Sequence, residues 1–194
     1  MANEEKKNKR FVALLRGINV GGNTMIKMEE LRTMFEALGF ANVVTYINSG
    51  NIAFDLKSSG SGQKSAKTLD AMAHMAGTIE NELEKHFGKQ IPVVIREQAD
   101  ISRIIADNPF EGEYESHKEM HVLFLKEEMP EDKQELLLGA APKGERFAVR
   151  GREIYCHLKL GVADSLLGKS FIEKKLKVTF TARNWRTVEK LSLL

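Results

Sequence analysis

The stretch FVALLRGINVGGN, Phe11–Asn23, contains the first strand and the turn that leaves it, and its reading decides the architecture. Phe11–Leu15 is a short apolar run with two β-formers, the pattern of a strand buried on both faces. It stops abruptly in Arg16, Gly17, Asn19, Gly21 and Gly22. Glycines permit a tight turn, but Arg16 and Asn19 are not needed for one, so the stretch hints at a site as well as a turn. A helix follows over Lys27–Leu38, with Met28, Leu31, Phe35 and Leu38 on one face. Gly39 suits the position just past its end.

Working outward, Val43–Ile47 reads as a strand, Asn48–Asn51 as turn chemistry, and Asn51–Leu56 as the returning strand of a hairpin. Ser49-Gly50 suits the centre of a two-residue turn. Lys57–Lys64, KSSGSGQK, has the composition of a flexible loop. Leu69, Met72, Ala76, Ile79, Leu83 and Phe87 form an apolar stripe on a long helix that Gly88 ends, and Ile91–Ile95 is a fourth strand. The order is βαββαβ.

The second half repeats that order without repeating the residues. A linker helix spans Gln98–Ala106 and stops at Asn108-Pro109. Then come a strand at His121–Leu125, a helix at Pro130–Leu138, and a hairpin of Phe147–Val149 and Ile154–Leu158 around Gly151. A helix over Ala163–Leu176, with Leu166, Leu167, Phe171 and Leu176 inward, leads to a strand at Val178–Thr181 and a final helix at Trp185–Leu193. The expected fold is α+β: two ferredoxin-like βαββαβ halves, residues 10–97 and 98–194, packed together with mainly antiparallel sheets. In that unit the strand order is 4-1-3-2. The loop after strand one and the tip between strands two and three then share an edge, so RGINVGG and INSGN should converge. Phe11–Leu15 and Val122–Leu125 are apolar on both faces, and one helical layer covers only one; the half-sheets are expected to bury their other faces against each other.

Composition narrows the function classes. The chain has 194 residues, 42% hydrophobic and 29% charged, with a formal net charge of +2. That charge argues against bulk attraction to nucleic acid or membrane. A lone cysteine, Cys156, forms no internal disulfide and suggests a reducing compartment. The leading MANEEKKNKR lacks the apolar core of a signal peptide, and no apolar run is long enough to span a bilayer. A cytoplasmic protein with no membrane partner is the expectation.

Three stretches carry candidate chemistry. In the first, the backbone N–H groups around Gly17, Gly21 and Gly22 could face an anion near a helix start, with Arg16 and Lys27 adding charge and Asn19 a polar amide. The spacing fits neither a P-loop nor a dinucleotide fingerprint, and no cofactor is expected. The second is the hairpin tip, where Tyr46 and Asn48 alternate with Ile47 and so share a face, beside Ser49 and Asn51. Ser49 lacks a neighbouring base and the nucleophile-elbow pattern. In the third, Asn184 suits the cap of the last helix and Trp185 its core anchor, while Arg183 is left to face a cleft. His117 and His121 do not form a zinc-binding helix pair, and Cys156 and His157 point to opposite faces of a strand; no metal site is expected. No catalytic residue is assigned. The ligand set is Arg16, Asn19, Gly21, Gly22, Lys27, Tyr46, Asn48, Ser49, Asn51 and Arg183, for a small anionic or nucleotide-like ligand. An RNA-binding module and an enzyme of unassigned reaction at the same edge are the alternatives, and the oligomeric state is open.

LLRGINVGG at Leu14–Gly22, TYINSGN at Thr45–Asn51, NPF at Asn108–Phe110 and TARNWRTVEKL at Thr181–Leu191 together resemble a bacterial family, the domain of unknown function 1697. The motifs run over nearly the whole chain. The resemblance implies a compact α+β protein of two ferredoxin-like halves and brings no catalytic residues with it. The chain departs from the family pattern at Leu158-Lys159-Leu160 and at Leu176-Lys177, where a Tyr-Pro-like and a Leu-Gly step are usual.

Overall fold

A computed structural model describes residues 9–21, 25–56 and 69–194. Gly22, the loop at Lys57–Lys64 and most of the leading segment lie outside the described residues. The fold is α+β with two four-stranded antiparallel sheets. By its contacts the chain divides into two units: one runs through Asp100 and takes in Leu194, and the other is Ile101–Leu193.

The first unit holds β1 (Arg10–Leu15), α1 (Met28–Ala37), β2 (Phe40–Tyr46), β3 (Asn51–Leu56), α2 (Leu69–Phe87) and β4 (Val93–Glu97), and α3 (Gln98–Ala106) begins in it and runs into the second. The sheet order is β2-β3-β1-β4. With β1 central, Phe11, Ala13 and Leu15 join the cluster that α1 and α2 cover. Val12 and Leu14, on the other face, are fully buried as well. Phe54, paired across from Phe11, is the hub of that cluster, with the rings of Phe40, Phe35 and Phe11 at 4.4, 5.5 and 6.0 Å. Met72, Ala76, Ile79 and Leu83 hold α2 to the sheet, whereas Leu69, which the stripe includes, is exposed at the helix start.

In the second unit, β5 (Met120–Leu125), α4 (Glu131–Ala140), β6 (Glu145–Arg150), β7 (Glu153–Leu158), a π-helical turn (Ile172–Leu176) and β8 (Phe180–Asn184) are followed by α5 (Trp185–Leu191). The sheet order, β6-β7-β5-β8, repeats that of the first unit. Leu123, Leu125, Ile154, Cys156 and Leu158 form its core with Leu137, Ile172 and Leu176.

Several elements differ from the sequence reading, and for four of them the local reason is visible. Pro92 has no N–H to give a ladder, and β4 starts after it, at Val93 rather than Ile91. β2 begins earlier, at Phe40, and accommodates a register shift between Ala41 and Val44, where Asn42 is left-handed at φ 49°. No α-helix forms over Ala163–Leu176. Ser165 Oγ donates to Val162 O, Leu166 N donates to the buried Glu145 carboxylate at 3.0 Å, and Ser170 is left-handed at φ 57°. Those bonds turn the chain until the π-helical turn, although Leu166, Leu167 and Phe171 still pack on the core. Lys177, left-handed at φ 51°, then delays β8 to Phe180, which places Arg183 inside the strand.

The β2–β3 tip is four residues, Ile47–Gly50, rather than a two-residue turn on Ser49-Gly50. Gly50 has φ 76°, and a Cβ there would stand 2.7 Å from Leu15 Cβ and 3.0 Å from Ile18 Cδ1. Gly17, at φ 67°, has open space around it. Overpacking and a disfavoured backbone therefore add at Gly50, and only the backbone term acts at Gly17. In urea unfolding, Gly50→Ala is expected to cost about 2–4 kcal/mol and Gly17→Ala about 1 kcal/mol. Equal losses would contradict the close packing of the tip on β1.

Candidate functional site

The topology brings the loop after β1 to the β2–β3 tip, and specific bonds hold them together. Leu15 N donates to Gly50 O at 2.8 Å, and Arg16 N donates to Pro92 O at 3.0 Å. Asn19 is the staple. Its Nδ2 donates to Asn48 O at 2.8 Å and to Ile26 O at 2.9 Å, while its Oδ1 accepts from Ile26 N at 2.7 Å. One side chain thus ties three segments: the loop, the hairpin tip and the entry to α1. To do so Asn19 sits left-handed, at φ 54°, a conformation that asparagine tolerates better than most residues. Asn51 performs the internal counterpart. It is fully buried, and its Nδ2 donates to Tyr46 O at 3.1 Å and to Ser49 Oγ at 3.0 Å, closing the tip.

The structure therefore gathers Asn19, Asn48, Ser49 and Asn51 at one edge, with Arg16 next to the bonded Leu15, Gly21 two residues beyond Asn19, Lys27 following Ile26 and Tyr46 paired to Asn51. Asn19 and Asn51 act there as structural ties. Asn48 contributes its carbonyl, and because Ile47 is left-handed at φ 46° the strand alternation that would put Asn48 on the face of Tyr46 is broken. Lys27 is exposed, 3.4 Å from Glu30. It also borders a shallow groove of about 440 Å³ along α1, with Glu29, Glu30, Thr33, Met34, Ala37 and His86. No other residue of the predicted set lines that groove.

Arg183 belongs to the second unit. It is buried on β8, its Nη1 donating to Thr181 Oγ1 at 2.6 Å and to Ala182 O at 2.8 Å, and burial lowers its pKa to about 10. Sequence reasoning missed its counterpart. Arg96, at the same place on β4, is also buried and donates to the carbonyl of the residue before it, Ile95, at 2.9 Å. The matching position in the two repeats was the available signal.

The remaining motif residues of the second unit are structural. Asn108 Oδ1 accepts from Phe110 N at 3.1 Å, and the buried Phe110 ring lies 5.8 Å from His157 and 4.7 Å from the Arg146 guanidinium. Asn184 Oδ1 accepts from Thr187 N at 2.9 Å, capping α5 as expected, and Trp185 is buried against the ring edge of Tyr114. Cys156 lies in the core, where burial pushes its thiol pKa up, away from reactivity. His157, on the opposite face, is 3.6 Å from Glu119.

The edge can be checked against the chain itself, because the second unit builds the same edge. Leu125 N donates to Arg152 O at 2.8 Å and Lys126 N to Thr179 O at 3.0 Å, matching the bonds of Leu15 and Arg16. Yet the second unit passes from β5 to α4 in five residues, 126–130, none with positive φ, and turns its hairpin in two, Gly151-Arg152. The first unit takes twelve residues, 16–27, and a four-residue tip.

Two outcomes test this account. Asn19→Ala removes three bonds at a partly buried position and is expected to cost about 2 kcal/mol in urea unfolding; an unchanged midpoint would contradict the staple. In the second unit, burial lowers the His121 pKa to about 4, and its Nδ1 has no hydrogen-bond partner. The folded state thus holds His121 neutral, while the unfolded chain binds its proton near pH 6.5. Its stabilising contribution is complete above that pH and is lost as pH falls from about 6.5 towards 4. Comparing unfolding midpoints at pH 7.5 and 5, His121→Gln should show a smaller acid loss than the unsubstituted protein.

Comparison with known proteins agrees with the fold. No curated protein matches this chain. Among solved structures, the conserved bacterial protein SP0830 from Streptococcus pneumoniae is similar, with a TM-score of 0.71 at 22% identity over 95% of this chain and 97% of that one. At that identity the likeness concerns the fold alone. The profile of a family described as "Protein of unknown function (DUF1697)" matches residues 9–155, most of the chain, and the protein belongs to that family.

Proposed function

We propose that the edge formed by the β1–α1 loop and the β2–β3 tip binds a small anionic or nucleotide-like ligand. The observation that carries this reading is the enlargement of both bends, at one edge, relative to the same edge of the second unit. The added residues have a specific chemistry. Gly17, Asn19 and Gly21 have φ of 67°, 54° and 63°, with no positive φ at Ile18 or Val20 between them. Such alternation directs successive backbone N–H groups into one concavity, which favours anions. Arg16 and Lys27 flank the run, and the start of α1 lies just beyond. We read each unit as a ferredoxin-like βαββαβ repeat on its element and strand order, extended by a helix.

The RNA reading has less support. Single-stranded RNA modules on such sheets stack bases on exposed aromatics of the central strands, and Phe11 and Phe54 are both fully buried. For an enzyme, no acid–base pair or nucleophile with its base stands among the gathered residues, and the reading proposed is binding.

Calorimetric titration with inorganic phosphate and pyrophosphate tests the proposal. Binding should weaken about tenfold or more in Arg16→Ala, the expected loss of a charge-assisted contact, and less in the exposed Lys27→Ala. The proposal falls if neither anion binds, or if Arg16→Ala binds as well as the unsubstituted protein.

A further inference from the structure

The ligand edge carries an apolar collar as well as a charged one. Val20, Met25 and Ile47 are 64%, 76% and 50% exposed, among the large hydrophobic side chains most open to solvent. The staple brings their backbone positions near one another. Asn19 bonds to Ile26 and to Asn48, and Val20, Met25 and Ile47 are the chain neighbours of those three residues. Three exposed apolar residues thus lie one position along the chain from one hydrogen-bonded point.

The fold does not require them there. At the matching edge of the second unit the loop after β5 has exposed Glu127 and Glu128 and a buried Met129, and the hairpin tip is Gly151-Arg152. No large hydrophobic side chain is exposed in either bend. A collar that merely packed the edge would be buried, as Ile18 and Ile26 are.

We infer that the ligand of this edge is a phosphate-bearing small molecule with an apolar or aromatic body, its anionic end at Arg16 and the left-handed run and its body against Val20, Met25 and Ile47. This rests on the anion reading above and adds the class of molecule. The charge of this edge favours an anionic occupant over an uncharged apolar one, and the exposed apolar residues favour one with an apolar body over a bare anion.

The test compares inorganic phosphate with hexyl phosphate by calorimetry, on the unsubstituted protein and on the triple variant Val20→Ser, Met25→Ser, Ile47→Asn. Asparagine suits the left-handed position, so the variant is expected to stay folded, as circular dichroism would verify. Hexyl phosphate should bind the unsubstituted protein at least tenfold more tightly than phosphate, since several methylenes leave water. In the triple variant that advantage should vanish while phosphate affinity stays unchanged. If both probes bind the unsubstituted protein equally, the collar inference is overturned and the anion reading stands. If the advantage persists in the variant, the apolar body rests elsewhere and the inference is again overturned. If neither probe binds, both readings fall.

Discussion

The edge formed by the β1–α1 loop and the β2–β3 tip depends on one close approach: the backbone of Gly50 lying against the end of β1, with Leu15 N bonded to its carbonyl. No side chain fits between them. Ile18, buried beneath the tip, takes up the space that a Cβ would need. Once the tip is seated there, Asn51 closes it from within and Asn48 O comes into reach of Asn19. The second unit makes the equivalent bond through Arg152, in a two-residue tip that has a side chain at that point. The glycine follows from the four-residue tip rather than from the sheet.

The sequence disclosed the sheets well and the bends poorly, for a physical reason. Apolar alternation and helical periodicity report burial on a face, and burial is what fixes β1, β5, α1 and α2. The convergence of the two turns followed from element order alone, since with β1 central the edge they share is dictated by topology. Left-handed residues are a different matter. Gly17, Gly21 and Gly50 were readable as turn glycines, but nothing in the pattern marks Asn42, Ile47, Ser170 or Lys177 as left-handed. Each is imposed by neighbours: a register shift in β2, a long tip, or a loop whose amides are held by Ser165 and Glu145. The helix read over Ala163–Leu176 failed there, because its apolar spacing is real but its backbone bonds go elsewhere.

The motifs by which the family is recognised divide into two kinds once their contacts are known. The NPF and TARNW segments turn inward: Asn108 closes a turn on Phe110 N, Asn184 caps α5, Phe110 and Trp185 fill space, and Arg183 bonds along its own strand. Arg96 does the same in the first unit, so a buried arginine on the last strand is a feature of the repeat. RGINVGG and INSGN are also heavily bonded, but their bonds hold open a bend that the sister unit does without. The internal repeat thus separates what the sheet needs from what the first unit adds at this edge.

The strain at the tip points the same way. Ile47 is β-branched and left-handed, a combination that costs about 1–2 kcal/mol, in a protein whose whole stability is of order 5–15 kcal/mol. Asn48, its neighbour, is a residue type that tolerates that conformation. Exchanging the two would place the tolerant residue at the left-handed position with no change in composition and with Asn19 still able to reach the carbonyl of residue 48, since the staple uses backbone there. The burial of Ile47 compensates only in part, for half its surface is open to water. A chain that keeps isoleucine at the strained position forgoes stability that a simple exchange would recover, and what it retains is a half-exposed apolar side chain next to the residue that Asn19 ties to the loop.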